Sequence, residues 1–171
     1  GAMDGVVEVI ESHVDTVDAV VLTHQHGDHV AQLDAVVDRF DPEVYAYADH
    51  AHRTHAIDDG DTVPIGDETF DVVYTPGHAD DHVSFVSDAT LFSGDVVVYN
   101  DGAFDDGSFG RTDMAGQSRE RLIESLQDLL PHLDGVEGMY AGHGDPFTGD
   151  VIEVVERALE RAQRREPKYP E

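Results

Sequence analysis

Thr23-His24-Gln25-His26-Gly27-Asp28-His29 sets three imidazoles and one carboxylate within six consecutive residues. The run follows an apolar, β-branched stretch at residues 17–22 that reads as a buried strand. The cluster therefore sits at the C-terminal end of a strand, where α/β architectures usually build their sites. Imidazole and carboxylate are ligands that suit zinc and iron. A cluster this dense can begin two adjacent metal sites, and a metal pair can activate water for hydrolysis.

Three further strand ends carry the same chemistry. A strand at residues 70–74 ends in Thr75-Pro76-Gly77-His78. Phe92-Ser93-Gly94-Asp95 closes a short apolar strand, and a strand at 136–141 leads into Gly142-His143-Gly144. Between them, further strands are expected at 43–48 and 83–87, and turns at 58–61 and 88–89. Residues 49–55 read as a short helix or a loop, and 96–99 as a further apolar run. Helices are expected at 6–13, 30–39, 118–130 and 151–165. In the third, Leu122, Ile123, Leu126, Leu129 and Leu130 share one face. Residues 101–110 form a Gly- and Asp-rich loop. No repeat, low-complexity tract or linker divides the chain, so residues 1–171 are expected to form one domain. Gly1-Ala2-Met3 has the look of a tag-cleavage scar.

Taken together, these four strand ends resemble the metallo-β-lactamase superfamily. The His-x-His-x-Asp-His motif falls on residues 24–29, the Gly-His on Gly77-His78, the bridging Asp on Asp95 and the last His on His143. The resemblance implies an α+β fold, a four-layer αββα sandwich. It implies one metal held by His24, His26 and His78, a second by Asp28, His29 and His143, and Asp95 between them. Asp28 and Asp95 would then be the catalytic carboxylates. The implied cofactors are two divalent ions, zinc first, with iron or manganese as alternatives. Asp95 stands where true β-lactamases carry Cys or Ser, which argues against antibiotic hydrolysis. Phe109-Gly110-Arg111-Thr112-Asp113 resembles a segment of glyoxalase II-like hydrolases, and also of persulfide dioxygenases. The first group implies hydrolysis of a small-molecule thioester or ester. The second implies one iron held by His24, His78 and Asp95. The hydrolase is the preferred expectation; an inactive or truncated member is a third reading. Only 23 residues precede His24, so the first strands of the family fold are expected to be missing. A truncation, a misassigned start or a natural short form would each account for that. An open sheet edge would expose part of the core, and a homodimer is expected to cover it.

Composition narrows the rest. Acidic residues number 37 against 10 basic ones, for a net charge of −27, and Lys168 is the lone lysine. Acid spread along the whole chain resembles the cytosolic proteins of salt-in halophiles, whose self-repulsion is screened at high salt. It argues against a nucleic-acid partner. The absence of cysteine removes disulfides and thiolate ligands, and fits a cytoplasmic protein. No apolar run reaches the roughly 20 residues of a membrane span, so no membrane partner is expected.

Tyr99, Arg111 and Tyr140 are candidate substrate contacts. Arg111 could bind a carboxylate through its planar fork, or pair with Asp113. His50, His52 and His55 read as a solvated face, and His82 as a hydrogen-bonded neighbour of the ligands. The arginines at 157, 161, 164 and 165 read as a salt-bridged helix face. Residues 101–107 fail as a calcium loop, because Ala103 stands where a ligand oxygen is needed.

Overall fold

The computed structural model describes residues 4–166; the expected tag scar and Lys168 lie outside them. The helices are α1 (Val6–Glu11), α2 (Gly27–Val30), α3 (Leu33–Phe40), α4 (Arg119–Leu129) and α5 (Val151–Gln163). The strands are β1 (Ala19–Val21), β2 (Glu43–Ala46), β3 (His55–Ala56), β4 (Thr62–Ile65), β5 (Glu68–Tyr74), β6 (Val83–Val86), β7 (Thr90–Gly94), β8 (Gly138–Ala141) and β9 (Phe147–Thr148). β1-β2-β3 make a parallel sheet. β4 through β9 make a second sheet in chain order, antiparallel except for the β7–β8 pair.

Three apolar clusters bind these elements into four layers. Leu33 and Val36 of α3 pack with Val44 and Ala46 of β2. Val63, Phe70, Val72, Val83 and Phe85 fill the space between the sheets, with Val21 and Tyr45 against them. The largest cluster joins the outer face of the second sheet to Leu122, Leu126 and Leu129 of α4 and to Val151, Val154, Val155, Ala158 and Ala162 of α5. Those spacings of three and four put each set on one helix face. Ser118 caps α4 by accepting from the Arg121 N–H, and Asp150 caps α5 by accepting from Glu153; each cap stabilises by about 1 kcal/mol. The result is the expected αββα sandwich of the α+β class. Among the described residues no strand precedes β1, which lies at an edge of its sheet.

Several elements depart from the sequence expectation. The single helix expected at 30–39 is split into α2 and α3, with Gln32 in a non-helical conformation before α3. Residues 49–55 turn into the two-residue strand β3. β4 and β9 were not anticipated. Pro64 disguises β4, and an edge strand tolerates it. Residues 96–98 are fully buried but form no regular strand; Val98 bridges to Ser108.

Candidate metal centre

β5, β7 and β8 all run in the same direction, because two antiparallel steps separate β5 from β7 and β8 lies parallel to β7. Their C-terminal ends therefore open onto one edge, delivering His78, Asp95 and His143. The first sheet delivers the cluster after β1, where the Thr23 carbonyl accepts from the Val83 N–H and ties the two sheets together. Gly94 makes that junction close. Its φ is +50°, and a Cβ there would lie 2.5 Å from His82 Nε2 and 2.9 Å from Thr23 Cβ.

Three groups of side chains converge with metal-compatible spacing: His24, His26 and His78; His24, His29 and Asp95; and Asp28, His29 and His143. Asp95 stands between them. Its Oδ2 is 3.2 Å from His78 Nε2, 3.4 Å from His143 Nε2 and 4.0 Å from His24 Nε2; its Oδ1 is 3.6 Å from His29 Nε2. Asp28 Oδ2 is 3.0 Å from His143 Nε2 and 3.6 Å from His29 Nε2. His24, His78 and Asp95 are buried, whereas the Asp28 and His143 side chains are half exposed.

The donor atoms fit a metal. His24 Nε2, His29 Nε2, His78 Nε2 and Asp95 Oδ1 are all buried without a hydrogen-bond partner. Buried polar atoms are normally paired, and four such orphans facing one another are what a cation would satisfy. The opposite ring nitrogens are held from behind. His78 Nδ1 donates to the Arg111 carbonyl at 2.9 Å, which leaves Nε2 free to face the site. His24 Nδ1 lies 3.2 Å from Thr23 Oγ1. The Gly110 N–H donates to the Asp95 carbonyl at 2.6 Å. A Cβ on Gly110 would come within 2.5 Å of His78 Nδ1, so only glycine fits there.

Electrostatics agree with a site made for a cation. Burial lowers His24 to about 2, reinforced by His82 and His29, so its imidazole is neutral at ordinary pH, the form that can accept a metal. Burial likewise lowers His78, with Asp95 opposing. Burial raises the Asp95 carboxyl, but the surrounding imidazoles of His29, His78 and His24 outweigh it and hold the group below the usual carboxylate range.

The site opens into a cavity of about 470 Å³. Val98, Asp101, Gly110, Arg111, Met114 and Gln117 line it beside the ligands. Of the expected substrate contacts, Arg111 alone is among the lining residues. Its guanidinium forms a two-pronged bond to Asp113, at 2.9 and 2.8 Å. Tyr99 packs instead on Phe147 with ring centroids 4.6 Å apart, and exposed Tyr140 lies beside Phe92 on the face between the sheets. Neither lines the cavity. His82 is hydrogen-bonded, as expected, but to the backbone of Asp95 rather than to a ligand ring. His52 has a carboxylate partner the sequence did not reveal, Asp34 at 2.6 Å. The arginines in and just after α5 are salt-bridged, Arg157 and Arg161 to Asp106, Arg164 to Glu160 and Arg165 to Glu120. Met114, Gln117 and the backbone of Gly110 and Arg111 escaped the sequence reading, since no residue type announces a carbonyl or an amide used as a support. Among the described residues no helix is long and apolar enough to cross a membrane.

Comparison with known proteins agrees with this geometry. The profile of the metallo-β-lactamase superfamily matches residues 5–143. A hydroxyacylglutathione hydrolase of Aliivibrio fischeri is 32% identical over 142 residues, 81% of this chain and 52% of the relative. The chain thus spans about half the length of the curated relatives it matches. The crystal structure of ETHE1 from Myxococcus xanthus superposes with a TM-score of 0.72 at 24% identity, over 94% of this chain and 75% of that one. The B3 metallo-β-lactamase BLEG-1 superposes with a TM-score of 0.68 at 29% identity, over 84% of this chain and 78% of that one.

Proposed function

The chain belongs to the metallo-β-lactamase superfamily, and from that premise we propose that it is a binuclear metal-dependent hydrolase of a thioester or related ester. The observation that carries the reading is the set of four buried, unpartnered donor atoms around Asp95. The hydroxyacylglutathione hydrolase name of its relatives supports the substrate class.

His24, His26 and His78 would hold one ion, Asp28, His29 and His143 the other, and the two oxygens of Asp95 would serve both. When bound, the ions, zinc first and iron or manganese as alternatives, would polarise the acyl carbonyl and lower the pKa of a water toward ~7. Asp28 faces the cavity, where its carboxylate could accept an O–H from such a water and orient it. Arg111 works through its main chain, which keeps His78 in one tautomer and one direction. Val98 and Met114 give the cavity wall an apolar portion against which an acyl chain can pack.

A second reading is favoured by one observation. His24, His78 and Asp95 are buried, while Asp28 and His143 are half exposed. Two His and one carboxylate form a complete set for a single iron of the oxygen-using type, as in a persulfide dioxygenase.

Metal content decides between the two. Protein purified in high salt without chelator is analysed by element, then assayed for thioester hydrolysis and for oxygen uptake with a persulfide. The proposal expects about two ions per chain and hydrolysis. About one iron with oxygen uptake establishes the second reading. Two bound ions without hydrolysis of any acyl thioester refute the proposed substrate class.

A further inference from the structure

His82 is a fully buried histidine that belongs to none of the ligand groups. We propose that it is a positioning residue for the metal centre: its Nε2 holds the backbone of Asp95 by accepting from its N–H, and the buried Thr75 hydroxyl accepts the proton that the ring then carries on Nδ1. The inference rests on the metal-centre reading above and not on the thioester.

The direction of both bonds to the ring follows from one fact. The Asp95 backbone N–H is 2.9 Å from His82 Nε2, and an amide N–H can only donate. Nε2 must therefore present its lone pair, and the neutral ring carries its proton on Nδ1. Nδ1 donates to Thr75 Oγ1 at 2.8 Å. Thr75 Oγ1 also shares a hydrogen bond with Ser84 Oγ at 2.9 Å, in which either hydroxyl can donate. Thr75, His82 and Ser84 are all fully buried, so water does not compete for these bonds.

These bonds are anchored in the second sheet. Thr75 follows β5 and Ser84 lies in β6, and the Thr75 N–H donates to the His82 carbonyl at 3.0 Å. The loop that carries His78 thus also carries the support for Asp95. Gly94 supplies the space, since a side chain there would press on His82 Nε2. A buried histidine satisfied on both nitrogens is common in cores. Here, however, one of the two partners is the main chain of the residue whose carboxylate lies between the ligand sets. Groups that orient metal ligands in this way typically contribute about 10–100-fold to metal affinity.

The test measures zinc affinity of the full chain in high salt, by competition with a chromophoric chelator. The variants are His82→Leu, His82→Gln and Thr75→Val. The Leu variant removes the acceptor and is expected to weaken zinc binding about 10–100-fold. The Gln variant, whose amide oxygen reaches the Nε2 position, is expected to recover most of that loss. The Val variant leaves Nδ1 without its acceptor and is expected to fall between them. If the Leu variant does not fold, the Gln and Val variants carry the test. Wild-type zinc affinity in Thr75→Val and in the Leu variant, with only the melting temperature lowered, overturns the proposal. So does a Gln variant as weak as the Leu one, since the loss would then follow volume and not the acceptor. A wild-type chain that binds no zinc removes the metal centre and this inference with it.

Discussion

Replacing Gly142 by Ala inserts one methyl group between two elements of the centre. A Cβ on Gly142 would lie 2.5 Å from His29 Cε1, and closer still to Asp95 Oδ1. Ordinary contact begins near 3.4 Å, so His29 must give way by about 1 Å, and the Asp95 carboxylate by more. Neither can do so freely. Asp95 is held at its N–H by His82 and at its carbonyl by Gly110, and the tilted ring of His24 packs against His29 with centroids 4.1 Å apart. Over-packing of this kind costs about 1–3 kcal/mol of stability, and a 1 Å misplacement at a reacting centre costs about 100-fold in rate. Gly142 has no positive φ, so the effect is steric and not a strain of the backbone. Gly27 is the control. It borders the same cavity, has no positive φ, and its Cβ would meet nothing within 4 Å. As the first residue of α2, Gly27→Ala is expected to leave metal content unchanged and to stabilise by up to about 1 kcal/mol. The assay is zinc per chain after dialysis against a weak chelator, with urea unfolding of the metal-free protein alongside. The expected result is loss of bound metal in Gly142→Ala alone. Full metal content in that variant would mean that Asp95 and His29 do not flank Gly142 as described.

Three other outcomes follow from the same geometry. Asp95→Ala is expected to release both ions together and hydrolysis with them, measured by elemental analysis; a variant that keeps its metal and its activity removes Asp95 from the centre. Lower pH should weaken the metal-free protein. Burial lowers His24 to about 2 and His82 to about 3, against 6.5 in the unfolded chain. The unfolded state therefore binds protons first, so stability is full above pH 6.5 and declines below it by at most about 1.4 kcal/mol per unit for each group. Urea midpoints at several pH values check this, and a flat profile below pH 6 contradicts it. Finally, a net charge of −27 is expected to make the melting temperature rise steeply between low salt and molar KCl, where the Debye length falls to about 3 Å; an unchanged melting curve would refute a halophilic adaptation.

Much of the candidate centre was legible because the residues that converge there sit directly after strands, and a strand end is visible as an apolar run that stops. His24, His26, Asp28 and His29 follow β1, and His78, Asp95 and His143 follow or end three strands of the second sheet. The same local logic does not bring Tyr99 and Tyr140 into the cavity lining. Tyr99 lies in an irregular segment and packs on Phe147, while Tyr140 lies in β8, where side chains alternate across the strand. Tyr140 pairs in register with Phe92 and points to the space between the sheets, away from the cavity. Nearness in sequence does not give a facing direction unless the register is known. β4 was hidden for a different reason. Its apolar run is short and interrupted by Pro64, so it reads as a loop until β5 is found beside it.

The supports of the ligands were illegible for a deeper reason. His82 to Asp95, His78 to Arg111 and Gly110 to Asp95 each use a backbone group on at least one side. Every residue but proline offers the same amide and every residue the same carbonyl, so composition and spacing contain no trace of which one is used. What the sequence does retain is the negative imprint. Gly94, Gly110 and Gly142 each stand where any Cβ would strike a ligand or its support. Glycines flanking a ligand motif therefore encode how closely the chain must approach the metal centre, even when they hold nothing themselves. On that argument Gly94→Ala should resemble loss of the His82 acceptor more than an ordinary turn mutation, since its new methyl displaces the ring nitrogen that holds Asp95.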